Sequence, residues 1–546
     1  MFNKIKSNKV LTLVYNNHSK ISILLVLVFI LSMFLFLYKN IYLMIDSDMS
    51  SELVLAKQLA TEKKLVTTNW YYSTELRVLN TQLVFTPLFM IFDNWNLVRI
   101  LGTLILVIIL LLSFLYFIKS FKIKYGAYLA FLVVGSISLS YYSFVIVGAY
   151  YIPHIAISFL SLGLISRIMD KSLKKNVVRM MILFVISLLA GMGGLRQLLI
   201  LYIPLCITAL ILLIFDQREN LLLPKINTKT DSFKLSVLSF VTTLFAGIGY
   251  IINSKILTKF IKFHDFEKIH YTKFSFSKLE SFINGIIESF GYKSNGLVFS
   301  KSGLLLNLMA AILIIVVITS LIYIYRNRKK VDKKHIAITV FYLAAVLTMF
   351  AIVMFTDNKY YDRYLLPVTI FFVPVVGVFL SNLNIKFYKI FIVIFIVVFA
   401  TMSSWYYLLY TKKNNEKCRE FFSKKDAIVS TKSENLIEIK NLLIENNCYN
   451  GYSSYWSANV LTELSDGKIE AWCFEKYGIT TDLLKWLQLT KHSKEAPTGK
   501  VFLILNEDEI ENVEFAESDN LNSIYRDKNR VVYIFNSYDE LVGSLK

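Results

Sequence analysis

Apolar residues recur in long unbroken runs, and short basic segments separate them. Most runs are long enough for a helix to cross a hydrocarbon layer, which takes ~20 residues. A membrane β-barrel would alternate with period two, so it is excluded. The pattern predicts about eleven spans. The first seven are at about 21–39, 97–118, 126–147 and 155–169, one ending near Gly191-Met192-Gly193-Gly194, about 197–215 and about 235–253. The last four are at about 304–325, one running out to Asp357, one opening at Asp362, and about 388–410.

Three stretches break the pattern. Residues 40–96 are polar and aromatic, with Leu53, Leu55, Ala56, Leu59 and Ala60 at helical spacing. That spacing predicts an amphipathic helix on the membrane surface. Asn80 to Phe92, interrupted by Pro87, predicts a second interfacial helix. Residues 254–303 form a large loop, with His264 and His270 flanking Asp265 and Glu267. Residues 411–546 predict a separate α/β domain, long enough to bury its own core. Its helices are expected at Asn435–Glu445 and Thr480–Leu489. Its strands are expected at Tyr449–Tyr455, Lys468–Cys473, Val501–Asn506 and Arg530–Phe535. The fold class is a polytopic α-helical membrane protein, 1–410, with a C-terminal extracytoplasmic α/β domain, 411–546.

Composition agrees. The 546 residues are 55% hydrophobic, with 42 Phe and 33 Tyr, which is no soluble composition. Charge then sets the orientation. The chain carries +20, yet residues 411–546 hold 18 basic and 22 acidic residues. The surplus sits in short loops such as Arg326, Arg328, Lys329, Lys330, Lys333 and Lys334, the positive-inside signature, and not on a face suited to nucleic acid. Lys4, Lys6, Lys9 and Lys20 put the N-terminus in the cytoplasm, and every basic loop then falls inside. The C-terminal domain falls outside a cytoplasmic membrane. Cys206 lies in an apolar run. Cys418, Cys448 and Cys473 allow at most one disulfide, and no Cys/His spacing suits zinc.

Candidate chemistry follows from that sidedness. Asp46-Ser47-Asp48-Met49-Ser50-Ser51-Glu52 lies just after the first span, where carboxylates are wetted, paired or functional. A sugar transfer needs a carboxylate to accept the acceptor hydroxyl's proton, and Asp46 and Asp48 are the candidates. The competing reading is a helix cap, with Asp48 or Ser50 capping and Glu52 in the first turn. Arg363-Tyr364-Leu365-Leu366-Pro367 opens a late span, and an arginine fork there suits phosphate. Its plain alternative is a rim arginine paired to Asp357, Asp362 or lipid. Arg196, after the glycine-rich turn, is a second phosphate candidate or a snorkelling side chain. Tyr151 and His154 share an outer turn with Tyr150, and Trp70, Tyr71 and Tyr72 read by default as interfacial anchors, with stacking on a sugar as the alternative.

These motifs resemble the GT-C-type glycosyltransferases, which include protein O-mannosyltransferases, aminoarabinose transferases and oligosaccharyltransferase catalytic subunits. Asp46–Glu52 leading into Leu53–Ala60 is similar to their acidic motif after the first span. Arg363-Tyr364-Leu365-Leu366-Pro367 is similar to their Arg-Tyr-x-x-Pro element. The resemblance is to bacterial members with eleven to thirteen spans. It implies that Asp46 is the catalytic carboxylate and Arg363 binds the phosphate of a polyprenyl-phosphate sugar. The expected acceptor is an envelope glycan, lipid or protein, and Glu52, Tyr151, His154, Arg196 and Tyr364 are expected around the substrates. Many members place a second acidic residue between spans three and four; here that turn holds Tyr150, Tyr151 and His154. A divalent metal is the one cofactor left open. The rival readings are a transporter or flippase, and a non-catalytic scaffold with a partner-binding C-terminal domain. The sequence shows no repeated halves, and its charges cluster at the outer rim, which favours the transferase.

Overall fold

A computed structural model describes residues 9–170, 176–218, 231–264, 269–292, 301–357, 360–411, 428–475, 478–510, 513, 524–526 and 530–545. Cys418, Asp265 and Glu267 lie outside these residues. Among the described residues, nine helices are long and apolar enough to cross a membrane. They are α1 (Lys20–Asn40), α4 (Trp95–Ser120), α7 (Ile152–Met169), α9 (Leu195–Asp216), α10 (Asp231–Lys259), α11 (Gly303–Arg326), α12 (Lys333–Phe355), α13 (Asp362–Asn382) and α14 (Lys386–Leu409). Helices dominate because lipid offers no partner for a free peptide group.

The expected third span is not one straight helix. It is α5 (Gly126–Val134) and α6 (Leu139–Val147), bent by 84°. The break falls at Gly135-Ser136-Ile137-Ser138. There the freed groups find side chains: Ser136 N–H donates to Ser404 Oγ, and Ser403 Oγ–H donates to the Ser136 carbonyl. Ser138 then caps the second half through Tyr141 N–H. The expected fifth span is the shorter α8 (Val177–Met192).

Two short helices fill the 40–96 segment: α2 (Ser47–Glu62) and α3 (Gln82–Phe89), the latter carrying Pro87. α2 is amphipathic as expected, but Ser47, Ser50 and Ser51 are buried along with its apolar face. It is covered on both sides rather than lying on a surface. The anchor reading of Trp70, Tyr71 and Tyr72 is also corrected. They form β1 (Trp70–Tyr72), and all three are buried. β1 is the centre of a three-stranded sheet. It pairs in parallel with β2 (Lys262–Phe263), Tyr71 opposite Lys262, and antiparallel with β5 (Gln488–Leu489), Tyr71 opposite Gln488. Three segments far apart in sequence are thus tied by backbone hydrogen bonds.

The C-terminal region holds a five-stranded sheet in the order β4-β3-β6-β8-β7. Its strands are β3 (Asn450–Ser453), β4 (Glu470–Cys473), β6 (Val501–Asn506), β7 (Tyr525–Arg526) and β8 (Arg530–Phe535). β3 is parallel to β4 and β6, and β8 is antiparallel to β6 and β7. α15 (Ile428–Glu445) and α16 (Tyr455–Leu464) cover one face. Ile45, beside Asp46, is buried in that same core with Leu436, Leu461 and Phe502. The helix expected at Thr480–Leu489 does not form. Leu487 takes the left-handed φ of 49° and donates its N–H to Tyr71 O, so pairing with β1 overrides the local helical spacing. Cys448 and Cys473 are both free thiols.

Candidate active site

The acidic segment leaves α1 and turns at once into α2. Asp46 is extended and is the N-cap: its Oδ1 accepts from Met49 N–H at 2.8 Å. The cap is therefore Asp46, not Asp48 or Ser50. Among the described residues Asp46 Oδ2 has no hydrogen-bond partner. Burial, then the neighbouring Asp48 charge, pushes the Asp46 carboxyl up to about 7, against the pull of the Met49 amide, Arg99 and Arg363.

Asp48 sits in the first turn of α2 with both oxygens engaged. Arg363 Nη1–H donates to Oδ2 at 2.8 Å, and Tyr455 O–H donates to Oδ1 at 2.7 Å. Arg363 thus pairs with neither Asp357 nor Asp362. It lies in the single turn Asp362–Leu365, and Pro367 opens the helical turn that follows, where its missing N–H is harmless. The guanidinium rests over Tyr361 and Phe144, at 5.2 and 5.5 Å from their centroids. Its remaining donors have no partner among the described residues.

The second arginine faces the same wall. Arg196 stands over Tyr151 at 5.1 Å and over Tyr364 at 5.8 Å. It also reaches His154 Nε2 at 3.3 Å. A guanidinium can only donate, so that nitrogen carries no proton and His154 acts as an acceptor. Gln197 fixes the other side of the ring at 3.2 Å. His154 is therefore a support for Arg196 rather than a free base. Glu52 points away from Asp46 and Asp48: its Oε2 accepts from Asn80, Thr81 and Gln82 and pins the start of α3.

Several participants carry no motif in the sequence. Tyr150 is buried, its hydroxyl has no partner among the described residues, and burial together with Asp46 and Asp48 holds its phenol well above the usual range. It follows Ala149, whose φ of 61° is unfavourable for an L residue and makes the α6–α7 turn tight. Tyr455 comes from the C-terminal sheet region. Ser47 Oγ–H donates to the Tyr455 carbonyl, and Arg99 joins Glu463 of α16 to the Met49 carbonyl. Arg77, half-buried beside His154 and Gln197, is forked onto Glu75 at 3.0 and 3.1 Å. Among the described residues no three His, Cys, Asp or Glu side chains gather in a set suited to a metal ion. Asp46 and Asp48 are two carboxylates, and the Arg363 guanidinium is bound to the second.

This arrangement occurs at one end of the helix bundle. α4 and α7 both start there and end beside each other at the opposite end, where Ser166 Oγ–H donates to Ser120 O. Lys334, with Asp170 at 2.6 Å, is at that opposite end.

The fold is similar to that of solved ArnT structures. ArnT from Cupriavidus metallidurans in the apo state superimposes with a TM-score of 0.54 over 93% of this chain and 97% of its own, at 11% identity. The same protein bound to undecaprenyl phosphate superimposes with a TM-score of 0.52 over 94% and 97%, at 10% identity. An Archaeoglobus fulgidus oligosaccharyltransferase tethered to an acceptor peptide aligns over 83% of this chain and 68% of its own, at 11% identity and a TM-score of 0.33. No protein-family model matches the chain, and no curated protein sequence matches it.

Proposed function

We propose that the chain is a glycosyltransferase that moves a sugar from a polyprenyl-phosphate carrier to an envelope glycan, lipid or protein outside the cytoplasmic membrane. Residues 1–410 form the catalytic membrane region in this reading, and 411–546 the extracytoplasmic domain above it. The observation that carries it is the division of labour between two adjacent carboxylates. Asp48 is clamped at both oxygens, while Asp46 keeps Oδ2 open and has its carboxyl raised to about 7. A base with that affinity takes a proton from a hydroxyl near neutral pH without being permanently protonated. Asp46 accepts the acceptor's proton as its oxygen attacks the anomeric carbon, and the carrier phosphate leaves. Arg363, through its unpaired donors, and Arg196 neutralise the charge gathering on that phosphate. Tyr151 and Tyr364 support the Arg196 guanidinium, and Tyr361 and Phe144 that of Arg363. The binding of undecaprenyl phosphate by the ArnT of like fold supports a carrier of this class.

The test is transfer by purified Asp46→Asn with a panel of polyprenyl-phosphate sugars. The expected result is normal expression and a loss of about 10²–10⁴-fold in rate. Transfer at the unsubstituted rate overturns the assignment.

A further inference from the structure

The carboxylate nearest the open base is held by a residue 407 positions away in sequence. Arg363 fixes one oxygen of Asp48, which leaves the carboxylate plane free to turn about its own axis. Tyr455 O–H, at 2.7 Å from the other oxygen, removes that freedom. The hydroxyl is itself well located. The Tyr455 ring is buried and stacked on Trp486, with centroids 4.6 Å apart and planes 24° from parallel. Its backbone carbonyl is bound by Ser47, and further along α16 Glu463 is gripped by Arg99. Two attachments therefore fix α16 against α2, one at each end of α16. The groups facing Asp48 are Asp46, Tyr150, Arg363 and Tyr455.

We infer that Tyr455 is a positioning residue of the transfer reaction, and that the C-terminal sheet region thereby completes the active site. Resting on the function proposed above, it acts through Asp48: it fixes the carboxylate plane, keeps the Arg363 pair in register, and so fixes where Arg363's unpaired donors meet the carrier phosphate. A domain that served only to recruit an acceptor would have no need of a hydroxyl on that carboxylate.

Tyr455→Phe tests this, because it keeps the stack on Trp486 and removes only the oxygen. The expected result is a fall in kcat of about 10- to 100-fold, the scale of a misplaced reacting group, with KM for the polyprenyl-phosphate donor within about twofold. Wild-type kcat in Tyr455→Phe, beside an inactive Asp46→Asn, overturns the inference and leaves the general reading standing. Full activity in Asp46→Asn overturns the general reading itself. Loss of donor binding or of the folded state in Tyr455→Phe marks a purely structural role and also overturns the inference.

Discussion

Arg99 and Glu463 lie 364 residues apart in sequence and meet as a forked ion pair, at 2.8 Å from Nε and 2.6 Å from Nη2. Both side chains are almost wholly removed from solvent, at 1% and 3% exposure. Nη2 also donates to the Met49 carbonyl at 3.0 Å. One guanidinium therefore joins a membrane helix, the acidic helix α2 and the C-terminal region.

Breaking this pair from one side strands a buried charge. Glu463→Ala is expected to cost about 3–5 kcal/mol. Thermal unfolding in detergent reads it as a clear fall in Tm. The double substitution Arg99→Met with Glu463→Met recovers most of the loss, because no charge is left buried.

The pH dependence follows from Asp46. Its carboxyl titrates at about 7 in the fold, above its ordinary value of 3.8. The folded chain thus holds this proton more tightly than the unfolded chain does. The stability so contributed is full below pH 3.8 and is lost as pH rises through about 7. Activity runs the other way: the transfer rate rises through pH about 7 as the base loses its proton. Stability curves from pH 4 to 8 should flatten in Asp46→Asn; an unchanged slope would assign the dependence to another group.

Arg363→Lys keeps a positive charge near Asp48 but loses the planar fork. A charged hydrogen bond contributes ~1.5–3 kcal/mol, so kcat/KM for the donor should drop about 10- to 100-fold. Arg196→Lys should cost less, since its single polar contact here is to neutral His154. Equal losses in the two variants would contradict the separate roles assigned to them.

Gly191 and Gly249 are where α8 and α10 touch backbone to backbone. A Cβ on Gly191 would sit 1.9 Å from Ala246 O, and one on Gly249 2.0 Å from Leu188 O. Small residues at such crossings let membrane helices approach closely. Gly191→Leu should therefore lower Tm and reduce folded yield, whereas Gly247→Ala, with open space around it, should change neither.

The helical bundle was legible because hydropathy is a local signal: about 20 apolar residues in a row have few alternatives. The break between α5 and α6 was not, since Ser403 and Ser404 satisfy it from more than 260 residues away. Asp46, Asp48 and Arg363 stand out because most of the charge at span ends is basic and falls on the expected inner side. The partner of Arg363 could not be picked out, and the nearer Asp357 and Asp362 were the natural choices. Thr480–Leu489 has helical spacing yet forms no helix, and its last two residues pair with Trp70 and Tyr71, a decision made by tertiary pairing. Tyr455 closes an expected strand, and neither it nor Glu463 is marked by the sequence, because their partners Asp48 and Arg99 lie more than 360 residues away.

The span between Asp48 and Tyr455 also has a meaning in time. Chains grow at ~5–20 residues per second, so roughly 20–80 s separate the synthesis of the two residues. Throughout that interval the acidic helix waits at the bundle's end with Arg99 and Asp48 unsatisfied from above. A ribosome that stalls after the last membrane helix leaves behind an inserted but unfinished protein. Completion of the polypeptide is thus the event that assembles the centre around Asp48.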